Sequence, residues 1–204
     1  MSQEEEILIQ TKELFFRLGV RSVTMDDIAR ELSISKKTLY LHFDNKEDIV
    51  EKVMKMHVEY EKEKINEILA SSENSIDFTI SLIKNVLSNM RNLHPSAIFD
   101  IQKYYPKVWK QFQEFKDDFI YNCTLQNLEK GVSEGFYRDD INPDIIARIY
   151  INTIDFVVSP FSFPSTKYNF TQVYLEYITY HIRGVVSEKG YQYLKTLDLS
   201  HENI

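Results

Sequence analysis

The sequence predicts an all-α chain, with a three-helix N-terminal unit followed by a larger helical domain. Only five Gly and five Pro interrupt its 204 residues. Between them, apolar residues recur at three- and four-residue steps rather than in strand-like alternation. A content of 43% hydrophobic and 13% aromatic residues is ample for a packed core.

The first element follows from Ile7, Leu8, Thr11, Leu14, Phe15 and Leu18, which share one helical face, with Gly19 placed to end the helix. Thr24 then precedes MDDIARELS with Asp27 three residues on. That is an N-cap with acids at the positive end of the helix dipole. The second helix runs to about Leu32. Ser33 and Ile34 leave room for a tight turn before Ser35, the next cap, so a third short helix carries Lys36 to His42.

Asn45 with Asp48 is another capping pair. After it Ile49, Val50, Val53, Met54, His57, Tyr60, Ile65, Ile68 and Leu69 mark a long helix. Ser75 begins a helix with Ile76, Ile80, Ile83, Leu87 and Met90 on one face, stopped at His94-Pro95. AIFDIQKYY forms a shorter helix before Pro106. From Val108 onward, Val108, Phe112, Phe115, Phe119 and Cys123 make one stripe, and Tyr121, Leu125, Leu128 and Val132 a second, so one long helix buried on two sides is expected. Asn142-Pro143-Asp144 is a cap, a first-turn proline and an early acid, and the helix it opens is apolar nearly all round. Residues 160–169 read as loop. A last amphipathic helix, opened by Thr171, carries Val173, Tyr174, Tyr177, Ile178, His181, Ile182 and Val185, and the polar tail after about Leu199 is expected to fray.

Composition bounds the chemistry. Twenty-four Lys and Arg against 31 Asp and Glu give a net charge of -7, which argues against coating nucleic acid non-specifically. The acidic start MSQEEEILIQ is unlike a signal peptide and no run is long enough to span a membrane, so a cytoplasmic protein is expected. Cys123 is the sole cysteine. Neither it nor His94 and His181 show the spacing of a metal site or of a nucleophile with its base, so no metal site, cofactor or catalytic activity is expected.

One segment departs from the overall charge. Residues 17–46 hold six basic side chains against four acidic ones, gathered around one turn and one short helix. On that helix Lys36, Lys37 and Tyr40 lie within a turn of one another, while Leu39 and Phe43 can anchor the other side. An α-helix fits the major groove of B-DNA, where lysine reaches guanine acceptors and threonine reaches base edges or a thymine methyl. The arrangement is that of a helix-turn-helix.

At this point TMDDIARELSISKKTLYLHFDNKEDIVEKVM, with the preceding KELFFRLGVRSVT, resembles the DNA-binding domain of the TetR family of bacterial transcriptional regulators. Phe15, Gly19, Thr24, Ile28, Ala29, Leu39, Tyr40, His42, Phe43, Lys46 and Glu47 carry the match over residues 7–55. Further on, GVSEGFYRDDINPD at 131–144 resembles a stretch found in that family. The resemblance implies a DNA-binding domain at 1–46, continuing into the helix to about residue 69, and a ligand-binding and dimerisation domain at 47–204. It implies that Thr24, Tyr40, His42 and Lys46 hold phosphates while Ser35, Lys36, Lys37 and Thr38 lie at or near base edges. Family members often have Gly where this chain has Ser33 and Lys37. Serine in that turn costs energy if the site needs positive φ.

A single short helix gives little specificity, so a homodimer through the last two helices is expected on a near-palindromic double-stranded operator. ARIYINTIDFVV is too apolar to face water, and Gly184 lets two backbones approach closely. Eight aromatic residues within residues 99–121 suggest a cavity for a small, apolar or aromatic effector. Phe99, Tyr104, Trp109, Phe112, Phe119 and Phe156 are its candidate lining, and Asp100, Asp117 and Asp155 are candidates for a cationic group. The reading is a ligand-released repressor. A regulator answering to a protein partner, one with no effector, and an activator remain alternatives.

Overall fold

The computed structural model describes residues 2–90, 93–94 and 96–197. The expected stop at Pro95 and the expected fraying beyond Leu199 lie outside the described residues. The described chain is helical throughout, with a single isolated antiparallel bridge between Tyr137 and Val186. None of its helices is long and apolar enough to cross a membrane.

Helices α1 (Gln3–Leu18), α2 (Met25–Glu31) and α3 (Lys36–His42) build the N-terminal unit. Helix α1 starts earlier than the apolar pattern, because Ser2 and Glu5 form a capping box. It ends at Gly19, whose φ of +81° favours glycine and whose N–H donates to the Phe15 carbonyl at 2.9 Å. Then come α4 (Lys46–Ser71), α5 (Ser75–Met90), α6 (Ala97–Tyr104) and α7 (Pro106–Phe115). The Asn45 side chain caps α4 by accepting from the Asp48 N–H.

The expected long helix from Val108 is interrupted. A π-helical turn, Lys116–Ile120, separates α7 from α8 (Tyr121–Ser133). Lys116 is 3% exposed, and its ammonium lies 2.6 Å from Asp155 and 3.7 Å from Asp117. After α9 (Pro143–Val157), α10 (Phe170–Val185) is capped by Asn169, which accepts from the Gln172 N–H. The cap is therefore not Thr171, which lies inside the first turn. A further helix, α11 (Glu188–Thr196), capped by Ser187, follows. The two long apolar helices are therefore α9 and α10 rather than the last two in the chain.

Contacts divide the chain into two compact units, Met1–Glu61 with Asn92–Glu114, and Lys62–Arg91 with Phe115–Ile204. In the first, Ile7, Leu14, Phe15, Val23, Ile28, Leu39, Phe43, Ile49 and Val50 are buried. In the second, the two stripes serve two clusters. Phe115, Phe119 and Cys123 pack on Ile65, Ile68 and Phe78, whereas Tyr121, Leu125 and Val132 pack with Leu128 on the larger cluster from α5, α9 and α10.

The stretch at 131–144 is the corner between α8 and α9. The Tyr137 ring lies flat against Gly131, and its hydroxyl sits 3.1 Å from the Ser75 carbonyl, 3.1 Å from Asn127 Oδ1 and 2.9 Å from Thr79 Oγ1. Burial pushes that phenol up to about 12. Arg138 pairs with Asp140 and donates to the Gly184 carbonyl, and Asn142 caps α9 with Pro143 in its first turn.

Candidate nucleic-acid interface

The cationic helix is held by its caps and its apolar underside. Thr24 Oγ1 accepts from the Asp27 N–H at 3.2 Å and donates to the Asp27 carboxylate at 2.6 Å, which fixes the start of α2. The hydrogen bonds from Thr24, and then the positive charge of Arg30, hold the Asp27 carboxyl below its ordinary range. The turn into α3 places Ser33 at φ +54°, so the serine does occupy the left-handed region. Ser35 caps α3, its Oγ accepting from the Thr38 N–H at 3.0 Å and lying 2.8 Å from Thr38 Oγ1. Leu39 and Phe43 are fully buried beneath, each supplying about 2 kcal/mol of burial. The opposite side of α3 is left to solvent.

On that side Lys36 and Lys37 differ. The Lys36 ammonium lies 2.5 Å from Asp26 Oδ1, a pair in which both side chains are more than half exposed. Such a pair contributes little to stability, about 0–1 kcal/mol. Lys37 is exposed and forms no ion pair or hydrogen bond among the described residues. Tyr40 stands half out of the surface, at 52% exposure. His42 is less open, its Nε2 3.2 Å from Gln3 Oε1.

Lys46 is tied in differently. Its ammonium donates to the Arg21 carbonyl at 3.1 Å, and desolvation lowers it while Asp100 opposes the shift. Arg21 is anchored too, because its N–H donates to Asp100 Oδ2 at 2.9 Å and its guanidinium donates to the Tyr104 hydroxyl at 2.7 Å. The same Asp100 oxygen accepts from Ser96 Oγ at 3.1 Å. Sequence reasoning missed this latch on the α1–α2 turn because it joins residues about 80 apart. Asp26, the partner of Lys36, was missed although it sits in the acidic first turn of α2.

The aromatic candidates fall in both compact units. Phe99, Tyr104, Trp109 and Phe112 belong to the first unit, and Phe119 and Phe156 to the second. Trp109 stacks on Phe112 at 5.3 Å between centroids, and Phe119 stacks on Phe115 at 5.6 Å. The Lys103 ammonium lies over Phe99, and Arg21 lies over Tyr104. Phe156 is exposed and meets Phe163 edge-on. The three candidate acids all have intramolecular partners: Asp100 as above, and Asp117 and Asp155 at Lys116.

Comparison with known proteins agrees with this geometry. Residues 7–53 match the model of the bacterial regulatory proteins of the tetR family. The chain is 28% identical over 133 residues, 64% of its length, to the biofilm operon icaADBC HTH-type negative transcriptional regulator IcaR of Staphylococcus aureus (strain Newman), and the match spans 66% of that relative. It is 28% identical over 170 residues to the HTH-type transcriptional regulator YvaF of Bacillus subtilis (strain 168), covering 82% of this chain and 86% of that one. Among solved structures, a transcriptional regulator from Saccharomonospora viridis in complex with choline has the same fold, with a TM-score of 0.73 at 18% identity, covering 91% of this chain and 98% of that one. With a capped cationic helix in the matched segment and the same helical build beyond it, the chain is similar to the bacterial regulatory proteins of the tetR family, whose model it matches over residues 7–53.

Proposed function

We propose that the protein is a ligand-responsive transcriptional repressor that binds a near-palindromic operator as a homodimer. The observation that carries this is α3 itself, a short helix buried on one side and presenting Lys36, Lys37 and Tyr40 on the other. Lys36, Lys37, Ser35 and Thr38 serve base edges in this reading, while Thr24, Tyr40, His42 and Lys46 serve phosphates. Residues 1–46 then form the DNA-binding domain, and 47–204 carry the ligand and dimer functions.

Dimerisation is supported by what the single chain leaves open. Ile145, Ile149 and Phe156 on α9 and Tyr180 on α10 are exposed, and nothing lies within 4 Å of the space above Gly184. Pairing α9 and α10 with a second copy covers this surface by a two-fold, self-complementary contact. It also gives two α3 helices for two half-sites.

A small-molecule effector is supported by the aromatic content and by the Saccharomonospora fold relative, which is in complex with choline. To release the operator such a molecule must favour the non-binding conformation by several kcal/mol. The test is retardation of a duplex from the chromosomal surroundings of the gene, together with sedimentation of the free protein. A retarded fragment and a dimer are expected. Lack of retardation at modest salt, or a lone subunit in the centrifuge, refutes the proposal.

A further inference from the structure

Leu41 has no role in the reading so far, yet no other Leu or Ile among the described residues is as exposed, at 74% against 54% for Ile149. It lies on α3, one turn after Lys37 and next to the half-exposed Tyr40. Leu39, two positions away, points to the opposite, buried side. The exposed apolar residues of α9 and α10 belong to the other compact unit.

We propose that Leu41 is a specificity-determining residue that reads the 5-methyl group of a thymine in the major groove. This rests on the reading that α3 enters that groove. Seven residues at 1.5 Å rise make a helix about 10 Å long, shorter than the groove's width of about 12 Å, so residues at both ends of α3 reach base edges. Lys37 makes no ion pair or hydrogen bond among the described residues, and it supplies the cation that draws this same face to a polyanion. Leucine has no donor or acceptor. Thymine alone among the four bases offers an apolar group in the major groove, whereas any other base leaves a polar edge desolvated against the side chain. Leu41 therefore favours thymine by contact and disfavours the other bases by exclusion.

The experiment uses the full-length protein and the duplex that wild type enriches from a random-sequence pool. Each thymine of that duplex is replaced in turn by deoxyuridine, which removes only the methyl group. At one symmetry-related pair of positions, uracil is expected to weaken wild-type binding about 3- to 10-fold. Leu41→Ala should weaken binding to the thymine duplex by a similar factor and then be indifferent to uracil at that pair, with the salt slope unchanged. Because the side chain is exposed, the melting temperature of the variant should match wild type, which separates lost recognition from lost folding. Unchanged affinity of Leu41→Ala, or a full thymine-to-uracil difference retained by the variant at every position, overturns the proposal while leaving the repressor reading intact. Failure of wild type to enrich any duplex overturns both.

Discussion

Gly131→Ala tests the corner that joins α8 to α9. A methyl group on Gly131 would lie 2.0, 2.3 and 2.6 Å from three carbons of the Tyr137 ring, where ordinary carbon contacts are about 3.5–4.0 Å. The ring cannot swing away freely. It is 4% exposed, and its hydroxyl is held among the Ser75 carbonyl, Asn127 and Thr79. Forcing a carbon into a packed site costs about 1–3 kcal/mol, and separating the phenol from its buried partners costs about as much again. Alanine's better helix propensity returns only about 1 kcal/mol, so a net loss of roughly 3 kcal/mol is expected. Urea denaturation followed by circular dichroism measures it, with Tyr137→Phe alongside to isolate the hydroxyl contribution at about 1–2 kcal/mol. A Gly131→Ala midpoint within about 0.5 kcal/mol of wild type would show that the ring does not lie on Gly131.

Lys37→Ala is expected to weaken operator binding by about 1–3 kcal/mol if the lysine reads a base, or to lower the salt slope by about one if it holds a phosphate; retardation at two salt concentrations distinguishes these, and no change in either makes Lys37 surface charge only. Ile149→Glu on α9 should convert a sedimenting dimer to monomer, while Gly184→Ala should weaken the dimer yet leave the single chain no less stable, because nothing lies within 4 Å of the added carbon. A monomer–dimer equilibrium unmoved by both changes would place the interface elsewhere. Burial holds the imidazoles of His57 and His181 down to about 4, with Lys12 adding to the effect at His57. The unfolded chain takes up these protons near 6.5, so each histidine's contribution is complete above that pH and lost as pH falls toward 4, amounting to about 2 kcal/mol between pH 7 and 5. Unfolding measured across that range should show the slope reduced in His57→Gln and His181→Gln variants, and an undiminished slope would assign it to other groups.

What was legible in the sequence was set by neighbours in the chain. Thr24 with Asp27, Ser35, Asn45 with Asp48, and Asn142-Pro143 all cap the helices they announce, because a cap is a bond across three residues. The two stripes after Val108 were legible for a similar reason. The π turn beneath them was not, since its buried Lys116 is explained by Asp155, 39 residues on. Helix α11 was hidden by its polar composition and by Gly190, which looks like a breaker. There the Phe136 carbonyl lies 2.1 Å from where a side chain would begin, so the glycine marks close packing instead. The same limit applies at the candidate interface, where the lysines of α3 could be found from sequence but the acid beside one of them could not.

That acid changes how the surface behaves on a polyanion. Asp26 gives Lys36 a built-in counter-ion, so in the proposed complex the closed pair adds little to the attraction for a random stretch of duplex. To reach a base acceptor there, the ammonium must give up that carboxylate. In the proposed complex, a lysine neutralised in this way adds more to the choice of sequence than to the general attraction for a polyanion.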